Sequence, residues 1–344
     1  MAVALQDRYS KLVEAKLAAE IVQKDGVIWN NDFEGDPKAG AVKIPVRGNA
    51  TVVSYDKQNG ATKSYTNGSY DTISIDKDKA VNEVIDGYDI DAVPDNIVAN
   101  RLDAAGEGLA LQINSDGTVE LLDKATTIGQ TTATSSSNIY DRFVDIGKEM
   151  TKNYVPLNGR WALVNPDAMA LLRKSSQFTA ASQLGDTVKQ TGAVGMIAGF
   201  TIYEDATLPA HANFICGHKN WCCRVNEWAV NVHLQSLDGS GTYIGASAIQ
   251  GRRVYAHKVT NSKAVVMDSG VLNGSVAIAS HTATITLGTN ATGAKYRIKH
   301  GDTWGDWTTY NASSKPTTQA NDVFEFYCFD ADGVRSGIVS ETDA

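Results

Sequence analysis

Residues 160 to 209 constrain the fold more than any other stretch. Trp161-Ala-Leu-Val164 is an unbroken apolar run and reads as a short buried strand. Asn165-Pro166-Asp167 follows. A proline at an early helical position gives up an N–H that has no helical partner there, so the turn starts a helix through Arg173. Ser175 to Gln190 is polar and reads as a loop. Val194-Gly-Met-Ile197, Ala198-Gly199 and Phe200-Thr-Ile-Tyr203 then read as strand, tight turn and strand, closed by Leu208-Pro209.

The remaining elements are arranged around this block. Leu5, Tyr9, Leu12, Val13, Leu17 and Ile21 recur at helical spacing, and Asp25-Gly26 supplies a stop, so the chain opens on a helix with no domain before it. From Gly40 to Ile75 the pattern is of strands, Ala41–Val46 and Asp71–Asp76, with Asn59-Gly60 and Asn67-Gly68 as turn dipeptides between them. Tyr55 to Tyr70 is polar and nearly core-free. It describes a long hairpin that reaches away from its own domain, and such a hairpin is marginal alone and needs a partner. The plainer alternative is a mobile surface hairpin.

Asp89 to Ile113 reads as a long helix with Pro94 near its start and one apolar stripe of Ile97, Val98, Leu102, Ala105, Leu109 and Ile113. Asn114-Ser-Asp-Gly117 is expected to break it, with a second helical piece to about Ala125. Ile128 to Asn138 reads as an exposed loop, Tyr140 to Tyr154 as a helix with Phe143, Ile146, Gly147 and Met150 on one face, Phe214 to Val232 as β-rich, and Ala264–Met267 as a final strand. After Met267 the composition shifts to linker-like Asp268-Ser-Gly270 and Asn273-Gly-Ser275. Helix signals then stop, and short strands at 283–287, 295–299, 307–310 and 323–329 point to a small β-sandwich with a core of Tyr296, Trp304, Trp307, Phe324 and Phe326.

Composition removes several function classes. Across 344 residues the net charge is −8, the wrong sign for a protein that wraps nucleic acid tightly, although mild acidity is also common in soluble proteins. No secretory h-region follows Met1 and no run of 18 apolar residues occurs, so a reducing compartment and no membrane span are expected. The Asn-x-Ser/Thr matches beginning at Asn67, Asn273, Asn290 and Asn311 are then chance. No phosphate loop, nucleophile elbow or H-E-x-x-H is present, so no catalytic residues and no cofactor are assigned. Cys216, His218, Cys222 and Cys223, with His211 nearby, could in principle hold zinc, but the spacing fits no standard module and buried free thiols are the alternative. Asp76, Asp78, Asp86, Asp89 and Asp91 lack the ligand spacing of a calcium loop and read as a solvated face. Trp221 and Trp228 read as core or interface residues rather than a ligand cage.

The order of parts resembles the Hong Kong 97 fold of tailed-phage major capsid proteins. The residues that carry the resemblance are Arg160-Trp-Ala-Leu-Val-Asn-Pro-Asp-Ala-Met-Ala-Leu-Leu-Arg173, then Thr191-Gly-Ala-Val-Gly-Met-Ile-Ala-Gly-Phe-Thr-Ile-Tyr203 with Leu208-Pro209. The resemblance covers about residues 1 to 268 and rests on packing motifs. It implies an α+β capsid fold: an N-arm over 1–39, an extended loop over 40–75, a peripheral domain with a spine helix over 76–138, an axial domain over 139–255 and a closing strand over 256–268. Residues 271–344 resemble the immunoglobulin-like domains that some phages append to capsid or tail proteins, here as an all-β sandwich on the outer surface.

The implied function is a shell subunit of the virion capsid. It self-assembles in the host cytoplasm into hexamers and pentamers of an icosahedral shell around DNA, which it contacts non-specifically. Scaffolding, portal and decoration proteins are the implied partners. A separate scaffold is expected because no long helical N-terminal extension is visible. Lys43, Arg47, Tyr55, Lys57, Lys63 and Tyr65 of the extended loop are expected to contact neighbouring subunits. Lys57 and Lys63 could also form the Lys–Asn cross-links of some relatives, but exposed lysines are ordinary edge protection. Three other classes are open: an adhesin with an immunoglobulin-like recognition domain, an encapsulin-like compartment shell, and a hydrolase of unrecognised type. An adhesin should show repeats or a fibre pattern in residues 1–268, and none is visible.

Overall fold

The computed structural model describes residues 22–32, 40–46, 52–61, 69–92, 97–176 and 195–343. The proposed N-terminal helix, the Asn67-Gly68 turn and nearly all of the 175–190 loop lie outside them. The chain divides into two compact units. The described parts of one belong to Asn31–Leu109 and Arg224–Thr260; those of the other belong to Glu14–Asn30, Ala110–Cys223 and Asn261–Ala344. The span 139–255 expected for an axial domain is thus divided at Arg224.

In the first unit, strands β1 (Ala41–Val46) and β2 (Ser69–Ser74) pair antiparallel from Ala41↔Ser74 to Val46↔Ser69, as the alternating sequence predicts. Strand β3 (Lys77–Ile85) was not predicted. Its alternate residues Asp78, Ala80, Asn82 and Val84 are exposed, and the other set is only half-buried, so it carries no hydrophobic signal. A short helix α1 (Gly87–Ala92) precedes α2 (Ile97–Lys124), whose first half belongs to this unit.

Helix α2 corrects one expectation. It runs without interruption through Asn114–Gly117. Asn114 and Thr118 are buried, the Thr118 hydroxyl donates to the Asn114 carbonyl at 3.1 Å, and Gln112 Nε2 donates to Asp116 at 3.1 Å. Turn-forming side chains are thereby used along the helix, and buried Ile113, Leu121 and Leu122 on either side outweigh the local preference for a turn.

The second unit is built on a six-stranded mixed sheet. Its members in chain order are β4 (Thr126–Thr127), β5 (Arg160–Val164), β6 (Met196–Ile197), β7 (Phe200–Glu204), β8 (Ala212–His218) and a later strand, Val266–Ser269. Two helices, α3 (Ile139–Lys152) and α4 (Pro166–Lys174), pack against it. All five residues of β5 are buried. It sits between β8 (antiparallel, Trp161↔Gly217) and β7 (parallel, Trp161↔Thr201), which explains its uninterrupted apolar run. Phe143 of α3 stacks on Phe214 with ring centroids 4.0 Å apart, inside a cluster that includes Ile146, Met150, Ala162, Val164, Met169, Leu172 and Phe200.

The Asn-Pro turn behaves as predicted. Asn165 Oδ1 accepts from the Asp167 N–H at 2.7 Å and caps α4, while its Nδ2 donates to the Pro209 carbonyl at 3.1 Å. The tight turn at Ala198-Gly199 has φ of 46° and 86°, the left-handed pair that a two-residue hairpin between Ile197 and Phe200 requires.

Two long strands follow. Strand β9 (Cys222–Ser236) and strand β10 (Ser247–Val259) form a three-stranded sheet with β3 in the order β3-β10-β9. Gly251 in β10 is a close-approach position, because a Cβ there would stand 2.8 Å from Val232 and 3.2 Å from Leu109. Most of β10 was missed by the sequence pattern. The final strand of the six-stranded sheet, β11 (Val266–Ser269), begins two residues later than expected.

From Ser275 the chain is all strand: β12 (Ser275–Ala279) pairs with β13 (Thr282–Thr286), while β14 (Gly293–His300), β15 (Thr303–Trp304), β16 (Thr308–Thr309), β17 (Val323–Phe329) and β18 (Val339–Thr342) form a five-stranded sheet. Phe324, Phe326 and Ala294 are buried, and Tyr296 stacks on Phe324 at 5.4 Å. Trp304 and Trp307 are not core residues as expected. They are half-buried, each with the Arg297 guanidinium over its ring at 4.2 and 4.6 Å, and Glu325 holds Arg297 by hydrogen bonds of 2.8 and 2.6 Å. This region joins the rest of its unit through polar contacts: His211 to Asp330 at 2.9 Å, and Arg335 to the carbonyls of Leu122 (3.0 Å) and Asp123 at the C-terminus of α2.

Candidate functional site

Among its described residues, the hairpin expected to act in assembly has little core of its own. Ile73 is buried, but Val46, Val52, Tyr55 and Tyr70 are 50%, 93%, 75% and 66% exposed. A turn at residues 57–59 is closed by reciprocal Asp56–Gly60 backbone bonds of 3.0 and 2.8 Å, with the Asp56 carboxylate accepting from the N–H groups of Gln58 and Asn59 at 2.6 and 2.9 Å. Those two N–H donors hold the Asp56 carboxyl below the usual carboxylate range. Asn59-Gly60 therefore does sit in a turn, with Gly60 at φ 74°. At its base the hairpin is tied to β10 by Lys258, which contacts Asp71 at 2.5 Å and the Thr72 carbonyl at 2.8 Å. Of the residues assigned to inter-subunit contact, Lys43, Tyr55 and Lys57 are exposed, and Arg47, Lys63 and Tyr65 lie outside the described residues.

The metal candidates are dispersed. The ring nitrogens of His218 are both engaged, Nε2 with the Asn158 carbonyl at 2.8 Å and Nδ1 accepting from Asn220 at 3.2 Å; burial pushes its pKa down. His211 faces Asp330, and burial pushes the Cys216 and Cys222 thiols up, away from the thiolate a metal needs. Among the described residues no group of three or more His, Cys, Asp or Glu side chains is placed to hold a metal ion. In the acidic run, Asp78 pairs with Arg252, Asp76 lies 3.5 Å from Lys77, and Asp86 accepts from the Tyr88 N–H at 2.8 Å; each is a surface partnership rather than a ligand set. Trp221 edges onto His218 at 5.1 Å, a packing role. Among the described residues no helix is long and apolar enough to cross a membrane.

The described residues present a hairpin with exposed aromatics and a layered α+β unit. The model of the phage capsid protein family matches residues 83–309, two thirds of the chain, and the chain belongs to that family. It is a phage capsid protein of mixed α+β fold. The same fold occurs in a structure from Mycobacterium phage Che8 (22% identity, 77% of this chain and 97% of that one, TM-score 0.66). It occurs also in the capsid structure of the cyanophage P-SCSP1u (13%, 77% and 92%, TM-score 0.65) and in the capsid of Myoviridae phage XM1 (13%, 77% and 97%, TM-score 0.56). No curated protein matches the sequence.

Proposed function

We propose that this chain is the main wall subunit of a tailed-phage head, closing as hexamers and pentamers into an icosahedral shell around the DNA genome. The observation that carries the proposal is the family match over residues 83–309. The subunit acts by assembly and not by turnover. It is built in the host cytoplasm with a scaffold, meets portal and decoration proteins, and touches DNA without sequence preference. The exposed hairpin of 40–75 is the arm that lies over a neighbour, through Lys43, Arg47, Tyr55, Lys57, Lys63 and Tyr65. Its high exposure at Val52, Tyr55 and Tyr70 supports this, because apolar side chains at a hairpin with little core find cover in a partner.

Residues 1–268 form the wall, with the N-arm, peripheral, axial and closing-strand spans given above, and 271–344 form an immunoglobulin-like ornament on the outside. The two-sheet, all-strand build of 275–342 supports the ornament. The test is expression of the full chain with and without its phage's scaffolding protein, followed by size exclusion and negative-stain microscopy. Closed particles or capsomers are expected; a monomer under every condition would overturn the proposal.

A further inference from the structure

A groove of about 610 Å³ runs along α3, lined by Tyr140, Val144, Lys148, Lys152, Leu157 and Arg160 among others. Its walls are largely apolar, and Val144 and Leu157 are 46% and 68% exposed. Among the described residues, every charged side chain in the lining is a cation. Lys148 and Lys152 have exposed carboxylate neighbours, Asp145 at 2.7 Å and Glu149 at 3.6 Å, and such pairs screen little.

Arg160 differs from these lysines. It is 3% exposed, and its donors go to the carbonyls of Pro156 (2.9 Å), Val155 (2.7 Å) and Gly147 (3.3 Å) and to the Thr151 hydroxyl (3.1 Å). Among the described residues no carboxylate pairs with it. A guanidinium without a counter-ion, set into a low-dielectric groove, is a lasting attraction for a carboxylate from outside.

The end of α3 supplies an independent observation. The Val155 N–H bonds to the Met150 carbonyl and the Tyr154 N–H to the Thr151 carbonyl, both at 3.0 Å. These are the two bonds of a Schellman cap, whose left-handed position is normally glycine. Here it is Tyr154, at φ 60° and 93% exposed. The fold holds a bulky aromatic in a disfavoured backbone state and gains no burial from it. Strain kept without local return is characteristic of functional surface, and exposed tyrosine is a common interface anchor.

We infer that the α3 groove and Tyr154 form a contact with a second copy of this chain, whose apolar segment lies between Val144 and Leu157 and places a carboxylate toward Arg160, Lys148 and Lys152. The occupant is a copy because a capsid chain's abundant neighbour is itself, and because this chain carries 39 acidic against 31 basic residues, so its own surface supplies the complementary charge. The inference rests on the shell function proposed above.

The test uses the full chain as wild type, Tyr154→Gly and Leu157→Lys, measuring the melting temperature of unassembled subunit and the concentration at which sedimenting particles form. Tyr154→Gly relieves the backbone strain, so it should melt at or above wild type. Both variants should need at least tenfold more protein to assemble. If either assembles at the wild-type concentration, the groove is not the contact, while the shell function stands. If wild type itself never exceeds a monomer, both fall together.

Discussion

Gly217 sits directly opposite Trp161 in the centre of the six-stranded sheet. Its φ is not in the left-handed region, so glycine is required there by space and not by backbone conformation. A Cβ at this position would stand 2.4, 2.7 and 2.9 Å from Cζ2, Cη2 and Cε2 of the indole. Trp161 is 1% exposed, with buried Ala162 and Leu163 beside it, so the ring has little room to retreat. Gly217→Ala should therefore cost about 2–3 kcal/mol, the upper range for overpacking a close-packed core. At roughly 2–4 °C per kcal/mol for a unit of this size, the melting temperature should fall about 4–12 °C.

Trp161→Leu alone should cost about 3 kcal/mol through the cavity it opens. Because the new methyl then has somewhere to go, the double variant should cost at least about 1 kcal/mol less than the sum of the two. Chemical denaturation of unassembled subunit, followed by tryptophan fluorescence and circular dichroism, reads all three. A Gly217→Ala variant within about 0.5 kcal/mol of wild type, or strict additivity, would refute the packing argument.

Four other outcomes follow from single sites. Asn165→Ala removes the α4 cap and the bond to Pro209, and should lower stability by about 1–2 kcal/mol by urea denaturation. Arg335→Ala strips the guanidinium from the C-terminal carbonyls of α2 and should cost about 1 kcal/mol and raise the protease sensitivity of 271–344, whereas unchanged sensitivity would mean that this contact does not hold the segment. His257 accepts from Arg224 at 2.9 Å, and burial, then the Arg224 and Lys77 charges, holds its imidazole down at about 3. The native state therefore stays neutral where the unfolded chain protonates near 6.5. Stability is full above that pH and falls as pH drops toward 3, by up to about 1.4 kcal/mol per pH unit. His257→Gln keeps an acceptor without titrating and should lose less stability between pH 7 and pH 5 than wild type does. Asp268 works in the opposite direction. Its carboxyl is raised by burial, against donors from Thr134 and Asn213 at 2.8 Å, so its proton adds stability below about pH 3.9 that is lost as pH climbs through the higher folded value. Asp268→Asn should flatten that part of the stability profile.

The elements legible in the sequence were those whose local chemistry and tertiary environment agree. Strand β5 reads as buried because both its neighbours in the sheet cover it, and Asn165-Pro166 reads as a helix start because the cap is made by the residue itself. Ala198-Gly199 reads as a turn because its glycine, without a Cβ, takes φ 86° at no steric cost. The failures are equally physical. Asn114–Gly117 carries turn residues, but packing at Ile113 and Leu121 keeps them helical. Strand β3 is amphipathic on neither face, since its partners are charges such as Asp78 with Arg252, so no apolar period marks it. Trp304 and Trp307 resemble core residues by type, yet each packs on the Arg297 guanidinium and stays half-buried. Of the proposed assembly surface, the exposed hairpin is visible as a polar run between strands. The α3 groove was not, because an uncompensated Arg160 and a tyrosine at a glycine position are facts of three-dimensional placement.

Cryo-electron microscopy of the particle formed by the full chain decides whether it is a wall subunit. A closed shell is expected, its wall filled by copies of this fold in pentamers and hexamers, with the 40–75 hairpin of each copy lying on a neighbour. Density for this chain only at a vertex, on a tail or as an isolated subunit would contradict it.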